Sequence, residues 1–236
     1  DILGELLLSG PGAGGSANSV TVGGISVAGI SFGNTTAGGS IINTGTINAG
    51  ATISGHSACA QALGISVNVT TFSGGITNNG TIMAAASATN AGGFGASSAT
   101  VRVAGIEAIA STFNGSIVNT GTIAASALVS SGSSAGAVAA GIVAGGLNFN
   151  GGISNAGTIT VSAQLGANVG GAAAATGVTA HLVSLSGSVV NLGNIAVVAT
   201  NPTGLASANG VSLTISTMSG SVVNSGSISA VASGES

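Results

Sequence analysis

Residues 115–123 read GSIVNTGTI, and the string G-x-[IV]-x-N-x-G-x-I returns at 39–47, 74–82, 151–159, 187–195 and 220–228. Outward from it, a second glycine stands sixteen residues before each N-x-G glycine. The pairs are Gly29 and Gly45, Gly64 and Gly80, Gly105 and Gly121, Gly141 and Gly157, Gly177 and Gly193, Gly210 and Gly226. From one pair to the next the gap varies between 17 and 25 residues. A fixed module joined by a variable one, at a period near 36, marks a repeat architecture.

Numbering each repeat from its first glycine brings out the columns. Position +1 is Ile30, Ile65, Ile106, Ile142, Val178 and Val211. Position +10 is always glycine, and +12 is Ile or Val. Position +14 is always asparagine: Asn43, Asn78, Asn119, Asn155, Asn191 and Asn224. Position +18 is always isoleucine, from Ile47 to Ile228, and +20 and +22 are Ala or Val. From +12 to +22 the apolar residues fall on every second position, which is the period of a strand and not of a helix. The N-x-G interruption favours a left-handed backbone and hence a corner. Each repeat therefore predicts three strands: one around −4 to +5, as in Ala60–Val69, one at +10 to +14, and one at +16 to +22.

Three short strands per repeat, with no crossover helix, predict an all-β parallel β-solenoid of six coils of about 36 residues. Stacked repeats then share one core. Coils of about 18 residues are the alternative, but N-x-G occurs once per 36, which favours the larger coil. Six rungs at the strand spacing give a body about 29 Å tall. The +14 column becomes a ladder of buried amides that hydrogen-bond from coil to coil. The +8 column, Ala37, Phe72, Phe113, Phe149, Leu185 and Met218, predicts a second apolar stack.

The string GSIVNTGTI resembles the β-helical repeats of autotransporter passenger domains and filamentous-haemagglutinin-like surface proteins, from about residue 20 onward. Its corner asparagine also resembles the ladder of pectate-lyase-type right-handed β-helices. The resemblance implies a right-handed β-helix exposed at a cell surface, and an adhesin-like binding module as one role.

Composition narrows the function classes. Charged residues are 2% of the chain, against a usual share of roughly a quarter. Arg102 is the single Lys or Arg, so phosphate binding to nucleic acid has no footing. No run approaches the ~20 apolar residues of a membrane span. The chain begins at Asp1 without a Met; an exported product with its signal peptide removed is the expectation. Low charge favours association. The expected partner is therefore the chain itself, in an extracellular fibre, sheath or surface layer, with other cell-surface components as further partners.

The search for chemistry predicts no enzyme, no cofactor and no metal site. Polysaccharide-cutting β-helices need clustered carboxylates or basic groups. Only Glu107 lies within the repeats, and Arg102 is its expected partner. His56-x-x-Cys59 offers two ligands, too few alone, and His181 lies four repeats away. Cys59 is the only cysteine. Sequons at Asn34, Asn68, Asn79 and Asn114 suit chance in an Asn- and Thr-rich repeat. The +17 threonines (Thr46, Thr81, Thr122, Thr158) give way to Asn194 and Ser227, which breaks a flat ice-binding array.

Residues 1–19 stand apart from the solenoid of 20–236: an apolar segment, DILGELLL, then a Gly/Ser-rich linker. Ile2, Leu3, Leu6, Leu7 and Leu8 form the densest cluster of large apolar residues. Left exposed they would call for a partner. The segment is expected as an arm docking on a neighbouring subunit, with a cap on its own body, such as a helix, as the alternative. Residues 83–100 are expected to be the longest loop. Insertions there should leave thermal stability unchanged, measured by circular dichroism melting; loss of folding would contradict the division of the repeat.

Overall fold

The structure, a computed structural model, describes residues 2–9, 18–32, 39–55, 57–90 and 98–235. It is all strand and turn, without helix among these residues. One strand comes first, β1 (Ile2–Ser9). Coil one follows with β2 (Asn18–Phe32), β3 (Ile41–Asn43) and β4 (Thr46–Gly55), and coil two with β5 (Ala58–Ser73), β6 (Ile76–Asn78) and β7 (Thr81–Asn90). Coil three holds β8 (Ser98–Asn114), β9 (Ile117–Asn119) and β10 (Thr122–Ser131). Coil four holds β11 (Ser134–Asn150), β12 (Ile153–Asn155) and β13 (Thr158–Leu165). Coil five holds β14 (Gly171–Leu185), β15 (Val189–Asn191) and β16 (Asn194–Asn201), and coil six β17 (Leu205–Met218), β18 (Val222–Asn224) and β19 (Ser227–Gly234).

Every coil places its three strands in three different sheets. The long first strands make a six-stranded sheet, the short second strands another, and the third strands with β1 a seven-stranded one. All pairings are parallel and join like positions of successive coils, as in Ile82↔Ile123 and Asn78↔Asn119. Successive ladder asparagines are 35, 41, 36, 36 and 33 residues apart. This settles the large coil over the small one.

The core runs up the middle of the stack. Ile82, Ile123, Ile159 and Ile195 of the third strands meet Ile65, Ile106 and Ile142 of the first strands, all fully buried. In each long strand the inward set changes phase at the first glycine. Ala60 and Ala62 face in before Gly64, and Ile65, Val67 and Val69 face in after it. The glycine is where the wall bends, and the bend brings the third strand close. A Cβ on Gly64 would overlap Cγ2 of Ile82 and the carbonyl oxygen of Gly105. The same overlap recurs between Gly105 and Ile123, Gly141 and Ile159, and Gly177 and Ile195. Glycine at position 0 and isoleucine at +18 are one steric unit. The +10 glycines are required for a second reason. Gly74, Gly115 and Gly151 have φ of 145°, 152° and 159°, and a Cβ there would strike the carbonyl of the coil before.

Three expectations need correction. The equivalent of Gly64 in coil one is Gly24, flanked by the pairs Gly23↔Leu63 and Ile25↔Ile65, whereas Gly29 pairs with Val69. Residues 33–38, outside the described residues, stand where coil two has Ser73 alone, so the sixteen-residue spacing of Gly29 and Gly45 is accidental. Ile25 and Phe32, not Ile30 and Ala37, therefore occupy +1 and +8; Ile30 is 83% exposed. Second, residues 83–90 and 98–100 belong to β7 and β8, leaving only 91–97 between strands. Third, Ile2–Ser9, given as a helix where it caps its own body, is a strand: it pairs with β4 of that body, Ile2 against Ile47 through Ser9 against Ser54.

The steric unit makes a sharp comparison. Gly141→Ala should cost about 1–3 kcal/mol in urea unfolding, because Ile159 and the Gly177 carbonyl cannot both yield. Gly136→Ala, in the same strand with nothing within 4 Å of a new Cβ, should be neutral or slightly stabilising. Equal effects at the two sites would contradict the proposed packing.

Candidate functional site

The most specific chemistry in this chain is internal. Each ladder asparagine donates from Nδ2 to Oδ1 of the next: Asn43 to Asn78, Asn78 to Asn119 and Asn119 to Asn155 at 2.7 Å, then Asn155 to Asn191 and Asn191 to Asn224 at 2.8 Å. The remaining amide hydrogen is taken by carbonyls at the corner. Asn78 Nδ2 lies 3.3 Å from its own Gly80 oxygen and 3.2 Å from Thr122 oxygen one coil on. The backbone closes the same corner, since N–H of Thr120 and Gly121 both donate to the Asn78 carbonyl. Asn78 and Asn119 are fully buried. Among the described residues no buried side-chain polar atom lacks a partner. The ladder is thus satisfied and polar in one direction, with donors pointing toward coil six.

The +8 column stacks its aromatic rings along the same axis. Centroids of Phe32–Phe72, Phe72–Phe113 and Phe113–Phe149 are 5.0, 4.7 and 4.5 Å apart, the rings of each pair nearly parallel. The spacing is that of the rungs themselves, within the range of favourable offset stacking. Phe72, Phe113 and Phe149 are buried in the core, and Phe32 at the coil-one end of the stack is partly buried.

Outside the core the surface is nearly without charge. Arg102 and Glu107 form a two-armed ion pair, Nη1 to Oε2 at 2.8 Å and Nη2 to Oε1 at 2.7 Å. Residues five apart on a plain strand would face opposite ways. The phase change at Gly105 between them turns both outward. The hydrogen bond to Glu107 raises the Arg102 pKa above its ordinary value, against the opposing effect of burial. His181 is exposed and lies 3.3 Å from Thr179 Oγ1. Cys59 is free and exposed, and its companion His56 lies outside the described residues. Among the described residues no three His, Cys, Asp or Glu converge as metal ligands. Two shallow grooves mark the outer walls, one beside Asn48, Thr52, Ser87 and Leu128, the other beside Asn68, Thr70, Ile109 and Leu147. Neither has an ionisable side chain in its lining.

The remaining feature is the far face of coil six. Among the described residues no strand pairs with the outer edges of β17, β18 and β19. Residues that are core elsewhere stand open here. Ile228 is 40% and Val222 57% exposed, where Ile195 and Ile159 are fully buried. Asn224 ends the ladder at an exposed position.

One functional asparagine escaped the repeat pattern. Asn201 is fully buried, donates to the Gly171 and Leu205 carbonyls at 2.9 and 3.1 Å, and accepts from Thr203 N–H. It closes the turn that makes the last coil-to-coil step the shortest. The Asn201-Pro202 dipeptide was its visible signal.

No protein-family model matches this sequence, and no curated protein or solved structure matches it either. The likeness to autotransporter and haemagglutinin repeats rests on the repeat string alone.

Replacing Asn119 with Leu removes both its amide bonds and strands Asn155 Oδ1 inside the core. A loss of a few kcal/mol in denaturant unfolding is expected. Asn224→Leu, at the open end, should cost under about 1 kcal/mol. Similar losses at both positions would contradict a buried, chain-linked ladder.

Proposed function

We propose that this chain is a structural subunit that self-assembles into an extracellular fibre, sheath or surface layer. The observation that supports the reading is an outer wall of regularly stacked strands that is nearly free of charge. Little charge then stands between one such wall and that of a second copy.

Lateral contact has its own support. The outward column Gly50, Ala85, Ser126, Ser162, Val198 and Val231 of the third strands is uncharged, with Glu5 of β1 in register at its coil-one end. Such walls approach closely with little charge to desolvate. The extracellular placement rests on composition and on the repeat string.

A binding module of the adhesin kind is the second reading. One observation favours it: apart from the longer join of coil one between β2 and β3, the variable joins lie between the third strand of one coil and the long strand of the next. They therefore gather along one corner, where a partner could span several coils.

Negative-stain imaging of the purified protein separates the two. Filaments or sheets support the subunit, and isolated rods support the module. Ser126→Lys, at an exposed site of the outer wall, should keep the melting temperature within a few degrees and abolish the filaments. Filaments that survive this change would place the contact elsewhere.

A further inference from the structure

The outward side of the long-strand wall is built symmetrically about its first-glycine column. Two outward columns flank the glycines, one three residues before and one two residues after. Between them Leu63, Ala104 and Ala140 are buried, yet none belongs to the core. They form the floor of a shallow dent that runs along the solenoid axis. From coil two to coil four the flanking residues match in kind. They are Gln61 and Ser66, then Arg102 and Glu107, then Val138 and Val143. Coil four carries the symmetry farther out, since Gly136, Val138, Val143 and Gly145 read alike from either side.

A surface symmetric in this way is complementary to a second copy of itself when a two-fold axis runs along the dent. Each flanking column then meets the opposite column of the second copy at the same coil height. Arg102 comes to face Glu107 of the second copy, and Glu107 its Arg102. The two ion pairs stack into a square in which every neighbour has the opposite sign. Arg102 donates once from each terminal nitrogen to its own Glu107 and has further N–H groups to give. In the next coil Val138, 45% exposed, meets Val143 of the second copy. Turning one copy end to end about coil three would instead set Arg102 against Arg102. The charges thus select the arrangement in which both solenoids point the same way, and the valines add apolar burial.

The wall is large enough. Ten strand residues across, roughly 33 Å, and six rungs, roughly 29 Å, give about 900 Å² per copy. A standard stable interface takes about 800 Å² from each partner.

We infer that two copies of this chain pair side by side through their long-strand walls, parallel and in register, about a two-fold axis along the glycine column. The inference rests on the self-assembly reading and names its first contact. The wall of third strands, with Ser126, stays free for further lateral growth.

Charge variants separate contact between copies from the ion pair within one. Arg102→Glu leaves two carboxylates on the face, and Glu107→Arg leaves two guanidinium groups. Neither chain alone can build the square, but an equimolar mixture can. Association is read by sedimentation velocity with reductant present, so that Cys59 forms no disulfide. The wild-type chain should associate with a dimer as its first species. Each charge variant alone should associate at least tenfold more weakly, and the mixture should recover wild-type association. Val138→Lys keeps the ion pair and should weaken association as well. Charge variants that each self-associate like the wild type, or a mixture no better than its components, overturn this pairing and leave self-assembly through another wall standing. A wild-type chain that stays monomeric at every concentration overturns self-assembly and the pairing with it. Should either charge variant fail to fold, judged by circular dichroism, Val138→Lys decides alone, and unaltered association there overturns the pairing.

Discussion

A primary amide buried inside a β-coil can be satisfied only by what the coils above and below place at the same height. Asn119 takes its bonds from Asn78, Asn155 and the corner carbonyls, and each neighbour depends on it in turn. The constraint is all or none. A slip of one residue in any coil would turn every inward side chain outward and leave two amides unpaired at once. The asparagine column thus holds the register in which the isoleucine, phenylalanine and glycine columns become packing surfaces. Gly64 can accept Ile82, and Phe72 can lie between Phe32 and Phe113, only because the corner fixes the height of each strand.

The same register explains the composition. Walls built from glycines and small residues leave a narrow interior, filled mostly by Ala, Val and Ile, with large rings confined to the one phenylalanine column. Charge has little place in such a body. Among the described residues the one ion pair sits where the wall bends and turns Arg102 and Glu107 to the same side.

Most of this architecture was legible in the sequence, because identical positions stack and so repeat visibly. The corner string placed β3, β6, β9, β12, β15 and β18 and the ladder directly. The first repeat misled for a physical reason. Residues 33–38 lengthen coil one, and Gly29 happens to fall at the spacing that Gly24 would otherwise have shown. The identical GISV at 24–27 and 64–67, and Phe32 eight residues after Gly24, carried the correct alignment. The N-terminal segment was obscured differently. A short run rich in leucine does not distinguish helix, arm and strand by itself. Its alternate positions, Ile2, Gly4, Leu6 and Leu8, follow the third-strand columns of Ile47, Ala49, Ala51 and Ile53.

The central claim is that the buried amides form one chain of hydrogen bonds through the stack. Hydrogen exchange of asparagine side-chain amides, followed by NMR on uniformly nitrogen-15-labelled protein, measures this directly. The Nδ2 protons of Asn78, Asn119 and Asn155 should exchange orders of magnitude more slowly than those of the exposed Asn79 and Asn209. Exchange of all these amides at the rate of a free side chain, in a protein whose backbone amides are protected, would contradict the ladder and the register built upon it.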